Sequence, residues 1–167
     1  MKQLTDRDKA YKAWKDMHRR CDEHPAYVDC IVCDEWQDFE GFVGWHIKNY
    51  PGVKGFDLDK DILSDTKKIY SPATCAFVPK EINLLINVEK TKGGAFPIGV
   101  SVNGDKFKAQ LRVKRKLIYL GTFASIEDAS AAYRACKENH VKAMAYEYRH
   151  IIGEKVFDAL MKWSVNS

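Results

Sequence analysis

The sequence predicts an α+β protein of two modules, with helices and a ββα segment in the first half and a three-stranded antiparallel sheet packed on one helix in the second. Three observations carry this. Apolar residues recur at helical spacing in two early stretches, at Tyr11, Trp14, Met17, His18 and Cys21 and at Trp36, Phe39, Phe42 and Trp45. From Ile98 onward the apolar period becomes two, at Val100 and Val102, at Phe107, Ala109, Leu111 and Val113, and at Ile118 and Leu120. Between the halves, residues 87–97 combine charge, Gly93-Gly94 and Pro97, the composition of a linker. These place one module at residues 1–90 and the other at residues 91–167.

In the first half, Thr5 followed by Asp8 has the spacing of a capping box and starts a helix over 6–21. After a short apolar segment at 27–33, the second helix closes before Pro51-Gly52, with Gly41 and Gly44 weakening it. Residues 56–62 and 70–78 read as two extended segments forming a hairpin across the polar turn 64–68. Pro79 is suited to open a helix whose apolar face is Ile82, Leu85 and Ile86.

In the second half, Asn103-Gly104-Asp105 and Lys114-Arg115-Lys116 form the two turns of the sheet. Ser125 followed by Asp128 caps a helix whose stripe of Ile126, Ala129, Ala132 or Tyr133, Cys136, His140 and Met144 covers the apolar face. The opposite face carries Ser101, Asn103, Lys108, Gln110, Arg112, Leu117 and Tyr119. Val156, Phe157, Leu160, Met161 and Trp163 make a short amphipathic helix, with two candidate destinations: the first module or a second copy of the chain in a homodimer.

The chain has 167 residues, 46% hydrophobic and 30% charged, which suits a folded domain rather than disorder. Its apolar runs are too short to span a bilayer and its start lacks a secretory pattern, so an intracellular, cytoplasmic protein is expected, without a membrane partner. Five cysteines are then expected to stay thiols. The net charge of +4 is unevenly spread. Residues 1–90 hold 14 basic and 16 acidic side chains, and residues 91–167 hold 13 and 7. Within 101–120, six basic residues face a single acid, Asp105, which directs attention to a polyanionic partner.

Gly99-Val100, the strand Phe107-Lys108-Ala109-Gln110-Leu111-Arg112, Leu120-Gly121-Thr122-Phe123 and the run Ala129-Ser130-Ala131-Ala132-Tyr133 together resemble the plant Apetala-two (ethylene-response factor) DNA-binding domain, over roughly positions 98–148. Phage and mobile-element proteins carry similar copies. The resemblance implies that the exposed sheet face reads the major groove of double-stranded DNA. Lys108, Gln110 and Arg112 would reach base edges and Lys114, Arg115 and Lys116 would meet phosphates, with Ser101, Asn103 and Tyr119 completing the face. Ser101 stands where an arginine is usual in that family, and Tyr119 where a tryptophan is usual.

Leu58-Asp59-Lys60-Asp61-Ile62, the segment 70–79 and Ile82-Asn83 resemble the phage-borne HNH-like endonucleases that often precede such a domain. That design needs a first-strand histidine to activate water and a divalent metal beside the scissile phosphate. Here Lys60 or Asp61 occupies the histidine's place, Thr74 falls near the middle asparagine and Asn83 alone keeps a family-like identity. A protonated lysine is a poor general base, so a catalytically degenerate module is expected. The expected function is then a sequence-specific DNA-binding protein derived from a homing-type endonuclease and acting as a transcriptional repressor without a cofactor. Two alternatives stand: an active endonuclease holding Mg²⁺ through Asp57, Asp59, Asp61 and Asn83, and an inhibitor whose sheet face binds protein. Cys30-Ile31-Val32-Cys33 has knuckle spacing, and Cys21 and Cys75 would complete a four-thiolate zinc site.

Overall fold

The computed structural model describes residues 5–64, 68–87, 95–114 and 116–165. By its contacts the chain divides into two compact units between Val78 and Pro79.

In the first unit, α1 (Asp6–Glu23) opens on the expected capping box, with both the Thr5 side chain and the Asp8 carboxylate satisfying backbone N–H groups. It packs on α2 (Phe39–Asn49) around an aromatic core. Trp36, Phe42, Met17 and Tyr70 are buried in this core, with Trp14, Phe39 and Trp45 packed against it. Trp36 lies outside α2, in a single 3₁₀ turn at Asp34–Trp36. Its carbonyl accepts a hydrogen bond from the Trp14 indole at 2.8 Å and lies 3.1 Å from the His18 ring Nε2. Gly41 makes this junction possible, because a Cβ there would lie 1.9 Å from the Glu35 carbonyl oxygen.

The expected hairpin takes another form. The segment 70–78 is two strands, β3 (Ile69–Tyr70) and β4 (Ala76–Pro79), separated by a turn. In the turn the Thr74 hydroxyl donates to the Ile69 carbonyl and meets the Ser71 hydroxyl at 2.9 Å. Pro72 is the physical reason, since it brings no N–H to a ladder. β4 pairs with β2 (Phe56–Asp59), while β3 pairs in parallel with β1 (Ile31–Val32). Part of the intervening turn, residues 65–67, lies outside the described residues.

The second unit begins with α3 (Lys80–Asn87), so the helix expected to complete the first module groups by contacts with the second, and α3 packs on α4 (Ile126–Glu147). By contacts the grouping changes ahead of α3; the boundary expected near residue 91 falls within residues 88–94, which lie outside the described residues. The sheet has the order β5 (Val100–Asn103), β6 (Lys106–Val113), β7 (Lys116–Phe123), antiparallel throughout. Gly104, at φ 66°, opens the two-residue β5–β6 loop as a type II′ turn needs. Val100 and Ala109 face α4 with Phe107, Leu120 and Phe123 around them.

α4 buries more of its surface than one face against a sheet requires. Its buried set is Ala129, Ser130, Tyr133, Lys137, Val141, Met144 and Ala145, in place of the expected Cys136 and His140. The cause is α5 (Glu154–Lys162), which packs on α4 within this unit through Val156 and Leu160 and settles where the terminal helix goes in the chain itself. Lys137 is fully buried, its ammonium 5.4 Å from the Trp163 ring centroid and 5.8 Å from that of Tyr133. Among the described residues no helix is long and apolar enough to cross a membrane.

Candidate nucleic-acid interface

Strand alternation sets the exposed face of the sheet, and the register shows which side chains stand opposite one another. Ser101 pairs across with Lys108, which pairs with Thr122; Gln110 faces Tyr119; Arg112 faces Leu117; Asn103 faces Lys106. Ser101, Asn103, Lys106, Arg112, Leu117 and Tyr119 are exposed, and Lys108 and Gln110 are partly buried. The described side chains expected on this face are therefore together on one surface, away from α4. Arg115 lies outside the described residues. Lys116, at the start of β7, is exposed.

Thr122 and Lys106 complete this face. Counting by twos from Tyr119 would put Gly121 and Phe123 outward, but the ladder slips by one residue where Ala109 pairs with Gly121 and Gln110 with Tyr119. This bulge turns Thr122 outward, where its hydroxyl lies 2.8 Å from the Tyr119 hydroxyl and accepts a hydrogen bond from the Asn103 amide at 3.4 Å. Gly121, at φ 134°, is the sequence signal that marks the slip.

Lys114 takes a different position from its neighbours. It sits in the β6–β7 turn at φ 45°, with its ammonium 2.9 Å from the Glu81 carboxylate of α3. The other Glu81 oxygen accepts a hydrogen bond from the Tyr148 hydroxyl at 2.5 Å. Burial works to raise the Glu81 carboxyl, but the Tyr148 hydrogen bond and Lys114 outweigh it and leave it below the usual range. The same hydrogen bond, with burial, pushes the Tyr148 phenol up to about 12. Lys114 is thus paired within the protein, where a free phosphate contact was expected.

In the first unit the expected catalytic remnant is a structural turn. β2 ends at Asp59, and its buried carboxylate accepts hydrogen bonds from the backbone N–H groups of Asp61 at 2.9 Å and Ile62 at 2.7 Å. Lys60 is buried with its ammonium 2.6 Å from the Asp61 carboxylate and within 5.8 Å of the Tyr27 and Tyr70 ring centroids. Burial alone would lower its pKa, but the Asp61 hydrogen bond and charge raise it, so Lys60 stays protonated. An ammonium thus lies beside the Asp61 carboxylate, and one Asp59 oxygen, Oδ1, accepts both backbone donors. Asn83 is on α3, in the second unit, where its carbonyl accepts from the Asn87 amide at 2.6 Å.

Cys30 and Cys75 are buried, and Cys21 and Cys33 pack against the aromatic core, all as free thiols. Burial pushes the Cys75 thiol up to about 12. Among the described residues, no group of three or more His, Cys, Asp or Glu side chains is arranged to hold a metal ion.

No protein-family model matches the chain, and neither a curated protein nor a solved structure matches it. The geometry offers one exposed, donor-rich, cationic sheet face with an aromatic and an aliphatic side chain on its edge strand, β7.

Proposed function

We propose that the second unit binds double-stranded DNA sequence-specifically, laying the exposed face of β5–β7 in the major groove, and that the chain acts as a transcriptional repressor descended from a homing-type endonuclease. The observation that carries this is the face itself. Lys106, Lys108 and Arg112 share it with Gln110, Asn103 and Tyr119, Lys116 stands exposed at its edge where β7 begins, and α4 and α5 leave it uncovered. The major groove is about 12 Å wide and admits a narrow ribbon of strands. Arg112 suits a guanine edge, Gln110 an adenine edge and Lys108 a further base edge, while Lys106 and Lys116, at the starts of their strands, meet phosphates. Repression follows from occupying a site without cutting it. The resemblance of 98–148 to the Apetala-two domain supports the same reading.

The reading without cleavage is supported by Lys60, held protonated against Asp61 where the endonuclease design needs a neutral histidine, and by the turn that the Asp59 Oδ1 closes.

Selection of bound fragments from random duplex DNA tests the proposal. A sequence should be enriched, and Arg112→Ala should relax it at one position with a loss of about 1 to 3 kcal/mol. A supercoiled plasmid carrying that site should stay intact in Mg²⁺ or Mn²⁺; nicking abolished by Asp61→Ala would restore the endonuclease. If no fragment is enriched even at low salt, the face is a protein-binding surface instead.

A further inference from the structure

Two apolar side chains sit where a purely phosphate-binding face has no use for them. Leu117 is 51% exposed and Tyr119 60% exposed, two residues apart on β7, on the same side as Lys108, Gln110 and Arg112. Single exposed leucines are ordinary on protein surfaces, but this one lies within a strand, directly across from Arg112. Opposed residues on neighbouring strands have Cβ atoms roughly 5 Å apart. An arginine and a leucine so paired present a fork of donors and a branched methyl group side by side, within about one and a half of the ~3.4 Å steps that separate stacked bases. Tyr119 follows two residues along β7, its hydroxyl 2.8 Å from that of Thr122.

In the major groove one apolar group is offered by the bases themselves, the 5-methyl group of thymine, and 5-methylcytosine carries the same group at the same place. Resting on the DNA-binding reading, we infer that Leu117 is a specificity-determining residue that recognises a pyrimidine 5-methyl group on the base pair next to the guanine read by Arg112. The site is thereby assigned a chemical class: a guanine flanked by a methylated pyrimidine, with the polar row Gln110–Tyr119 beyond it. Burying Leu117 against that methyl gives the exposed leucine a partner that the protein itself does not supply.

The test uses the full chain and its selected duplex. Each thymine is replaced singly by deoxyuridine, which removes the methyl group and leaves every hydrogen-bonding group in place. Each cytosine is replaced singly by 5-methylcytosine. If thymine is the source, one thymine beside the guanine whose readout Arg112→Ala relaxes should lose about fourfold in affinity, the value of burying one methyl group. If methylcytosine is the source, one cytosine there should gain by a similar factor. In either case Leu117→Ala should bind more weakly and erase that difference while leaving the guanine preference intact. A flat response to both series, or a methyl effect that survives in Leu117→Ala, overturns the inference although DNA binding stands. Failure to select any duplex overturns the DNA-binding reading itself.

Discussion

Gly99 shows how little room one backbone position leaves in the second unit. Its φ is 79°, and a Cβ there would lie 2.1 Å and 2.3 Å from two ring carbons of Tyr133 on α4. A side chain would thus meet both backbone strain and a clash where β5 meets the helix. Gly99→Ala should destabilise the second unit by about 2 to 4 kcal/mol, adding the cost of a left-handed L-residue to that of overpacking. Urea unfolding followed at an α4-sensitive signal should show a lower midpoint with an unchanged slope. In the first unit His46 sets a pH dependence. It is 2% exposed among Phe42, Tyr50 and Phe77, and its Nδ1 has no hydrogen-bond partner among the described residues. Burial lowers its pKa from 6.5 to about 4. Between those values the unfolded chain binds the more protons. The contribution is therefore complete above pH 6.5, falls as the pH drops through the window and is spent near pH 4, at most about 3 kcal/mol in all. Denaturation curves at pH 7.5, 5.5 and 4 should show this loss in the wild type beyond that of His46→Leu, which shares the carboxylates but not the imidazole.

At the scale of elements, the Glu81 carboxylate ties together α3, the β6–β7 turn and the end of α4, through Lys114 and Tyr148. An ionised carboxylate placed there competes with phosphate for Lys114. Glu81→Gln should therefore bind duplex DNA more tightly at low salt, with a log affinity against log salt slope steeper by about 0.9, the value of one added phosphate contact. In that background Lys114→Ala should return the slope to its wild-type value. The sequence reveals the elements that follow a single period and hides those set by partners distant in sequence. β5, β6 and α1 were legible because alternation or helical spacing runs unbroken through them. The division of 70–78 into β3 and β4 was signalled by Pro72, but the parallel partner of β3, Ile31–Val32, is too short to carry a pattern. Thr122 was hidden because the bulge at Gly121 breaks the alternation that would have placed it. The burial of Lys137 carries no signal in its own helix, since part of its cover, Trp163, comes 26 residues later.

At the scale of the whole chain, the place of division is a statement about which pieces fold. Composition sets it at the charged, glycine-rich stretch before Phe96, whereas the contacts set it between Val78 and Pro79, so that α3 is part of the second unit. α3 packs on α4, buries Ile82 and Leu85, and brings Glu81 to Lys114 and Tyr148. A fragment of residues 79–167 keeps all of this, while one of residues 91–167 loses the helix, bares the part of α4 beneath it and leaves the Tyr148 hydroxyl without its carboxylate. The shorter fragment should be less stable by about 2 to 4 kcal/mol, the order expected for burying one or two aliphatic side chains. Guanidinium unfolding of the two fragments measures the difference. Equal stabilities would mean that α3 contributes nothing to the second unit and that the division near residue 91 is the physical one. A clear deficit in the shorter fragment, restored by extending it back to residue 79, would make α3 the amino-terminal element of the second unit. It would then follow that a ββα motif read across β2, β4 and α3 spans two folding units.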